Sequence, residues 1–523
     1  MNAPESLRPS LPALPPFTPH PEPGAAPRID LGLPAGWSPG FAGLAADPEE
    51  PFIRPCDPSP LQECRLLAVS EDAAALLGLD AHELMQSPQW LALLSGNAVG
   101  RHLQSYASVY AGHQFGVFVP RLGDGRALNL GALRGWELQL KGAGQTPYAR
   151  FADGRAVLRS SVREYLCSEA MHALGIPTTR ALSIVASASP VLRETVETAA
   201  VVCRVAPSFL RFGHFEYFAS RQRLDLLEQL VSHGIELLGC NPIASTSTLP
   251  IAERAVAMLH EVARRSASMT AQWMGVGFMH GVMNTDNCSV LGLTLDYGPF
   301  GFMDGFHAGH ICNHSDHHGR YSFQSQPQVS LWNLSRLANA LYPLVNAREP
   351  LTEALETFKS SYAQSIEGLL RKKLGLQTLP EDHWSPLLDD FYALLQSQRI
   401  DYTLAFRTLS HGQEQAFMNL APDREACRPW LSRYREAVAL SLARQGLPAE
   451  QRLQQMRAIN PKYVLRNWVA EEAISALRDQ GDAQPFHDIA RVLRSPFEEH
   501  LNFERYASPP PDWAQHLSVS CSS

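Results

Sequence analysis

The strongest constraint on what this chain can fold into is a change of pattern partway along it. Up to about residue 206, short strand-like runs alternate with turn clusters, as in GVFV (116–119), WELQLKG (136–142) and AAVVCRVA (199–206). One helix among them is well punctuated. It begins near Ser160 or Ser161, runs through VREYLCSEAMHAL, and stops at Gly175 with Pro177 beyond. From about residue 222 onward helical periodicity dominates, in RLDLLEQLVSHGIELL, IAERAVAMLHEVARRSASMTAQWM, LWNLSRLANALYPLVN and LTEALETFKSSYAQSIEGLLRKKL. Between the second and third of these lies a loop-rich stretch, 275–330, full of Gly, His, Asn and Asp. This pattern predicts an α+β chain: a small mixed N-lobe over 61–215, a large and mainly helical C-lobe over 216–523, and polar loops lining a cleft between them. Residues 1–60 form a proline-rich N-terminal extension. Prolines there block helix, and Phe17, Trp37, Phe41 and Phe52 favour an extended strap.

With 523 residues and 45% hydrophobic content, the chain has material for more than one lobe. Its formal charge of −8 argues against a basic nucleic-acid footprint or an anionic-membrane surface. No apolar run is long enough to span a bilayer. The N-terminus lacks the hydrophobic stretch of a signal peptide, so the expected compartment is the cytoplasm. Nine cysteines, an odd number without metal-type CxxC pairs, do not describe a disulfide scaffold. Cys521 stands apart in the closing segment VSCSS, where a tail thiol is placed to meet a partner.

The chemistry concentrates in HGVMNTDNCSVLGLTLDYGPFGFMD, residues 280–304. Asn287 and Asp296 flank the apolar run VLGLTL, read as a strand pair between two loops. Holding Mg²⁺ or Mn²⁺ on nucleotide phosphates requires such hard oxygen donors presented from adjacent loops. The order His-Gly, then Asn, then Asp-Tyr-Gly resembles the protein-kinase series HRD…N…DFG. One departure matters more than the match. Val282 occupies the place of the kinase catalytic Asp, and an extra acid, Asp286, stands immediately before Asn287. The metal ligands survive while the usual phosphoryl-transfer base is missing.

Upstream, Lys141 ends the run WELQL and is placed to reach phosphates, with Glu164 on the following helix as its partner. Gly123, Gly125 and Arg126, in GDGRA, permit close backbone approach and add a charge. Each has a plainer alternative. Ser161-x-x-Glu164 is itself a capping box, Asp286 suits a turn, and DG is a common hairpin dipeptide.

Taken together, YAGHQFG (110–116), LGDGRA (122–127), KGAGQTPYARFADGRAVLRSS (141–161), REYLCSEAMHALGIPTTRAL (163–182), NTDN (284–287), DYGPFGFMD (296–304), ICNHSDHHGRYSF (311–323), NPKYVLRNW (460–468) and VSCSS resemble the selenoprotein O family, also called SelO or YdiU. The similarity runs from about residue 60 to the last residue. It implies a kinase-like fold that binds ATP in reversed orientation and transfers AMP to protein Ser, Thr or Tyr hydroxyls. It further implies that Gly123, Gly125 and Arg126 form the nucleotide loop, that Lys141 pairs with Glu164, and that Asp153 and Gly154 form a second nucleotide-contacting loop. Arg204 and Arg211 would hold phosphate, Asp286 would accept the proton, and Asn287 and Asp296 would bind the metal. Without the resemblance, Arg204 and Arg211 read as ordinary surface arginines.

The expected activity is therefore a protein adenylyltransferase using ATP with Mg²⁺ or Mn²⁺, the choice between ATP and UTP staying open. A catalytically silent nucleotide-binding scaffold and an atypical kinase using Asp286 are the competing readings. The cluster His307, His310, His314, Asp316, His317 and His318 suits a polar loop better than zinc, because its spacing fits no metalloprotease helix. The family's habit of placing selenocysteine or cysteine near the end raises a Cys312–Cys521 disulfide as a redox device.

Overall fold

The structure is a computed structural model, and it describes residues 24–44, 51–239, 248–514, 517 and 519. The N-terminal section opens with short strands β1 (Arg28–Ile29), β2 (Trp37–Ser38), β3 (Ile53–Pro55) and β4 (Arg65–Val69). Helices α1 (Glu71–Leu76), α2 (Ala81–Gln86) and α3 (Pro88–Leu94) follow. Each is started by a side-chain oxygen that accepts an orphan backbone N–H: Ser70 from Ala73, Asp80 from Glu83 and Ser87 from Trp90. Next come β5 (Val99–Gly100), β6 (Tyr106–Ser108), the hairpin β7 (Gly112–Gln114) and β8 (Val117–Val119), β9 (Ala127–Leu133), β10 (Trp136–Lys141) and β11 (Ala156–Val157). Helix α4 (Leu158–Ala173) and the long pair β12 (Arg180–Leu192) and β13 (Val196–Ala206) complete the section.

The main sheet runs in the order β3-β6-β9-β10-β13-β12-β4, with β2 added to β9 and β11 to β13. Its central strands are buried on both faces: β13 reads as a nearly continuous apolar run over 199–206, whereas β10 alternates Leu138 and Leu140 with the buried polar Glu137, Gln139 and Lys141. One face packs Leu128, Leu138, Val201 and Val205 against α1–α3, and the other packs Ile184 and Val202 against Val162 and Leu166 of α4. The described part of the proline-rich segment lies along this sheet as a strap. β2 pairs with β9, β3 pairs with β6, and Phe41 and Phe52 are buried. Phe17 lies outside the described residues.

The C-terminal section is helical: α5 (Phe212–Ser220), α6 (Leu224–Leu238), α7 (Ile251–Val276), α8 (Gln326–Val345), α9 (Glu349–Leu374), α10 (Glu381–Gln398), α11 (Tyr402–Ser410), α12 (Glu414–Asn419), α13 (Arg428–Gln445), α14 (Ala449–Arg457), α15 (Asn467–Ser475) and α16 (Gln484–Arg494). Its irregular centre lies between α7 and α8, where β14 (Phe278–Met279) pairs with β15 (Gly301–Phe302). This small sheet-rich part followed by a helical part is the kinase-like α+β layout expected from the sequence. Two details differ. The apolar run 290–295 forms no strand pair, only a turn closed by a bridge between Cys288 and Thr294, because Leu291 and Gly292 complete a tight turn there. And α15 and α16, grouped by sequence with the helical lobe, pack Trp468, Val469 and Phe486 against α4 of the N-terminal section. Among the described residues, no helix is long and apolar enough to cross a membrane.

One buried charge bears on stability. Lys373, near the end of α9, is 2% exposed with its ammonium 4.3 Å above the Phe406 ring, and burial pushes its pKa down to about 7. Below pH 7 the lysine is protonated in both folded and unfolded chains and burial costs its full penalty. Between about 7 and the ordinary lysine value of about 10.4, only the unfolded chain holds the proton, so stability rises with pH. The Lys373→Met variant is therefore expected to be more stable than the parent at pH 7, in urea unfolding. That advantage should shrink steadily toward pH 10.5; a constant difference across the range would refute the assignment.

Candidate active site

The site is built first by strand register. In the antiparallel pairing of β10 with β13, Gln139 faces Arg204 and Lys141 faces Val202. Alternation along β10 puts Gln139 and Lys141 on one face, and cross-strand pairing adds Arg204 to it. That face looks toward α4, whose Glu164 carboxylate lies 2.7 Å from the Lys141 ammonium and 3.2 Å from Arg204. α4 begins at Leu158, four residues earlier than the capping-box reading requires, and Val157 before it makes no side-chain cap. Ser161 and Glu164 thus lie inside the helix, and Glu164 is free to act as an ion-pair partner.

Asp296 collects the cations. Its Oδ1 lies 2.7 Å from Lys141 and 2.5 Å from Arg204, and its Oδ2 lies 3.3 Å from Arg211. Lys141, Arg204 and Arg211 are all buried, so the reading of the two arginines as surface groups fails. Burial alone would raise the Asp296 pKa, but Lys141, Arg204 and Arg211 outweigh it and hold the carboxyl well below the usual range. Arg211 sits just before α5, donates to the Asp286 carbonyl oxygen at 2.8 Å, and stacks 5.3 Å from the Tyr110 ring. Three cations thus face two carboxylates, Glu164 and Asp296, in a region with little water.

Asp286 is differently placed. It lies in a single 3-10 turn, Thr285–Asn287, and is buried. Burial pushes its carboxyl up to about 6, against the opposing pull of Gln114 and Arg211. Gln114 Nε2 donates to Oδ2 at 3.2 Å, while Oδ1 has no hydrogen-bond partner. Asn287 Nδ2 donates to the Val282 carbonyl oxygen at 3.0 Å, which orients its side chain and leaves Oδ1 available. Hairpin β7–β8 is tied across this loop: His113 N–H donates to Thr285 Oγ1 at 2.7 Å, and Phe115 N–H to Asn284 Oδ1 at 3.1 Å. The closeness leaves room for nothing but hydrogen at residue 112, where a Cβ would fall 2.6 Å from Asp286 Oδ1.

These groups share one cleft of about 540 Å³, lined by Gly123, Gly125, Arg126, Lys141, Arg204, Arg211, Asp286, Asn287 and Asp296, with Val282 also on its wall. Arg126 is exposed at the cleft and has no carboxylate partner among the described residues. Gly123 holds φ +134°, open to glycine, and a Cβ there would strike Tyr148 at 2.4 Å. Beside it Asp124 accepts from Ser108 N–H at 2.9 Å and from Asn129 Nδ2 at 3.2 Å, anchoring the glycine loop. Glu164 stands behind Lys141 and does not line the cleft. Asp153 and Gly154 are not brought into it either. Asp153 pairs with Arg193 at 2.8 Å and accepts from Arg155 N–H, while Ala149 and Ala152 of the same loop reach the cleft wall. Sequence reasoning assigned no role to Gly112, Gln114, Tyr110 or Asp124. The motif YAGHQFG carries the first three, and the invitation to find them was its length alone.

The donor set fits a hard divalent ion. Asn287 Oδ1, the Asp296 carboxylate and the orphaned Asp286 Oδ1 are all oxygens. Among the described residues, no group of three or more His, Cys, Asp or Glu is arranged to hold a metal by itself. With Asp296 already shared by three cations, the site suits an ion that arrives with phosphate oxygens. The histidine cluster follows the polar-loop reading. Asp316 accepts backbone N–H groups from Arg320 at 3.0 Å and Tyr321 at 2.7 Å, and His314, His317 and His318 point outward. Cys312 is buried, His314 N–H donates to the Val519 carbonyl oxygen at 3.1 Å, and Cys521 lies outside the described residues.

Comparison with known proteins agrees with the geometry. A family model described as protein adenylyltransferase SelO matches residues 44–494. Protein nucleotidyltransferase YdiU of Dechloromonas aromatica (strain RCB) is 48% identical over 499 residues, covering 92% of this chain and 97% of the relative. The protein of the same name from Thiobacillus denitrificans is 47% identical over 495 residues, covering 92% and 98%. That of Cupriavidus metallidurans is 46% identical over 534 residues, covering 97% and 95%.

Removing the shared carboxylate should leave three buried cations against Glu164 alone. Asp296→Asn is expected to lose about 3–5 kcal/mol of stability in urea unfolding. Added inorganic pyrophosphate should restore more stability to this variant than it adds to the parent. An unchanged midpoint would mean the cluster is well solvated and contributes little.

Proposed function

The chain belongs to the protein adenylyltransferase SelO family, and from that premise we propose that it transfers AMP from ATP to Ser, Thr or Tyr hydroxyls of other proteins. The observation that carries this reading is the position of the charge. Lys141, Arg204 and Arg211 gather around Asp296 in the buried interior of the cleft, whereas the glycine loop carries only Arg126. An inward-facing β,γ-diphosphate would meet the concentrated cations there and stay clamped as the leaving group. The α-phosphorus would then face the acceptor.

In this mechanism the acceptor hydroxyl oxygen forms a bond to the α-phosphorus, the bond from that phosphorus to the bridging oxygen breaks, and pyrophosphate leaves. Asp286 takes the hydroxyl proton. Its elevated carboxyl, near 6 through burial, suits a base that must be ionised at neutral pH yet basic enough to accept a proton. Gln114 holds one carboxylate oxygen, and the other is left without a hydrogen-bond partner. Arg211 donates to the backbone carbonyl of Asp286 and so links the phosphate-binding cations to the base. Val282 contributes no acid, which is consistent with attack at a phosphorus other than the γ. Asn287 and Asp296 would hold Mg²⁺ or Mn²⁺, which when bound neutralises phosphate charge.

Two tubes of purified protein with cell extract, one with ATP labelled at the α-phosphate and one at the γ-phosphate, test the reading. Protein labelling from the α-position only is expected, and it should disappear in Asp296→Asn. Labelling from γ only would make the protein a kinase. ATP binding with no label from either position would favour a silent scaffold. Within the reading, Asp286→Asn should lower kcat by about 10²–10⁴-fold with ATP affinity little changed. Gly112→Ala should also lower kcat, because its methyl would displace Oδ1 of Asp286. A Gly112→Ala enzyme with parental kcat would show that the Asp286 position is not critical.

A further inference from the structure

The rim of the cleft beside Asp286 carries a surface whose chemistry the reaction does not use. The tip of hairpin β7–β8 exposes Phe115 at 39%, Val117 at 68% and Phe118 at 38%. Two sets of ring contacts run back from this tip into the protein. Phe115 stands 5.1 Å from Tyr321, and His113 stands 5.1 Å from Phe118 and 5.4 Å from Trp332. Trp332 lies on α8, one residue before Asn333, whose Nδ2 donates to the Met283 carbonyl oxygen at 2.9 Å and so ties the helix to the catalytic loop. Two guanidinium groups lie against the Trp332 ring, Arg320 at 4.4 Å and Arg336 at 4.8 Å.

Neither arginine has a carboxylate partner among the described residues. Arg336 donates to Ser335 Oγ, at 3.3 and 3.1 Å, and the Arg320 guanidinium also lies 5.8 Å from the Tyr321 ring. By contrast, the buried Arg180, Arg204, Arg407 and Arg466 all pair with carboxylates. Stacking on indole holds each guanidinium plane while leaving terminal N–H groups to donate. An ionised oxygen presented to those edges makes charge-assisted hydrogen bonds, the stronger kind.

We propose that the Arg320–Trp332–Arg336 stack, with the Phe115–Val117–Phe118 tip, is the docking surface for the acceptor polypeptide, and that it selects segments with an Asp or Glu close to the modified hydroxyl. The proposal rests on the reading of Asp286 as the group that meets that hydroxyl, because the hairpin holding Asp286 in place is the one that carries the apolar tip. Continuity with the cleft and the surplus positive charge fit an acidic, partly apolar peptide. A lysine-rich one would be repelled by both arginines.

Two measurements test it. Transfer from α-labelled ATP is followed with peptides that contain one tyrosine flanked by Asp and Glu, by Ala, or by Lys. The acidic peptide is expected to exceed the lysine peptide at least 10-fold in kcat/KM, the difference lying in KM. The Arg320→Gln/Arg336→Gln double variant should lose the preference while keeping the parental KM for ATP and its rate on the alanine peptide. Arg320→Glu/Arg336→Glu should invert it, a gain that misfolding would not produce. Separately, fluorescence anisotropy with peptides carrying Phe in place of Tyr measures docking without transfer. Equal affinity for acidic and lysine peptides, or no binding of either, overturns the docking surface. Selective binding with no α-label on any acceptor would instead overturn the transfer reading beneath it.

Discussion

Everything at the heart of this protein depends on one carboxylate that satisfies three buried cations. Lys141 arrives from β10, Arg204 from β13, and Arg211 from the turn before α5, so the sheet and the helical section are joined electrostatically at Asp296. Bringing that many charges out of water is costly unless each is paired, and the pairing is nearly but not fully balanced. Glu164 offsets part of the excess through Lys141 and Arg204. The remaining positive charge is what a polyphosphate would complete. A site left slightly cationic, with rigid neighbours, is prepared for its ligand before the ligand comes.

The second constraint is steric. Hairpin β7–β8 belongs to the N-terminal section by sequence, yet its hydrogen bonds go to Asn284 and Thr285 of the loop that carries Asp286. Thr285 is held in turn by the Glu216 carboxylate of α5, at 2.5 Å. Asp286 is therefore gripped from above by the hairpin and from below by α5 and the Arg211 donor. A carboxyl held this way is kept away from solvent, and that burial is what lifts its pKa.

The fold class was legible because period and punctuation agree over long stretches. The α7 and α9 helices run 26 residues each, and no strand assignment survives such length. Lys141 and Arg204 were legible as charges, but their partnership depends on the register that sets Gln139 opposite Arg204, which no local signal in the sequence specifies. Glu164 was ambiguous for a definite reason: a Ser-x-x-Glu run has the same spelling at a helix start and one turn inside a helix. Gly112 and Gln114 escaped because their meaning lies in contact with residues more than 170 positions later. The family's motifs marked Asp153 and Gly154 for the nucleotide, yet Asp153 is held by Arg193 outside the cleft.

The packing of α15 and α16 on α4 has a consequence for the order of events in the cell. α4 carries Glu164, and its outward face is covered by Trp468, Val469 and Phe486, residues that follow it by about 300 positions. Domains tend to fold as the ribosome delivers them, N-terminal parts first. Here the N-terminal sheet emerges early, with α4 lacking its cover until about 300 further residues have been translated. Until then the apolar side of α4 lacks these partners on the nascent chain. The nucleotide site can settle only once those two later helices have been made and packed on α4.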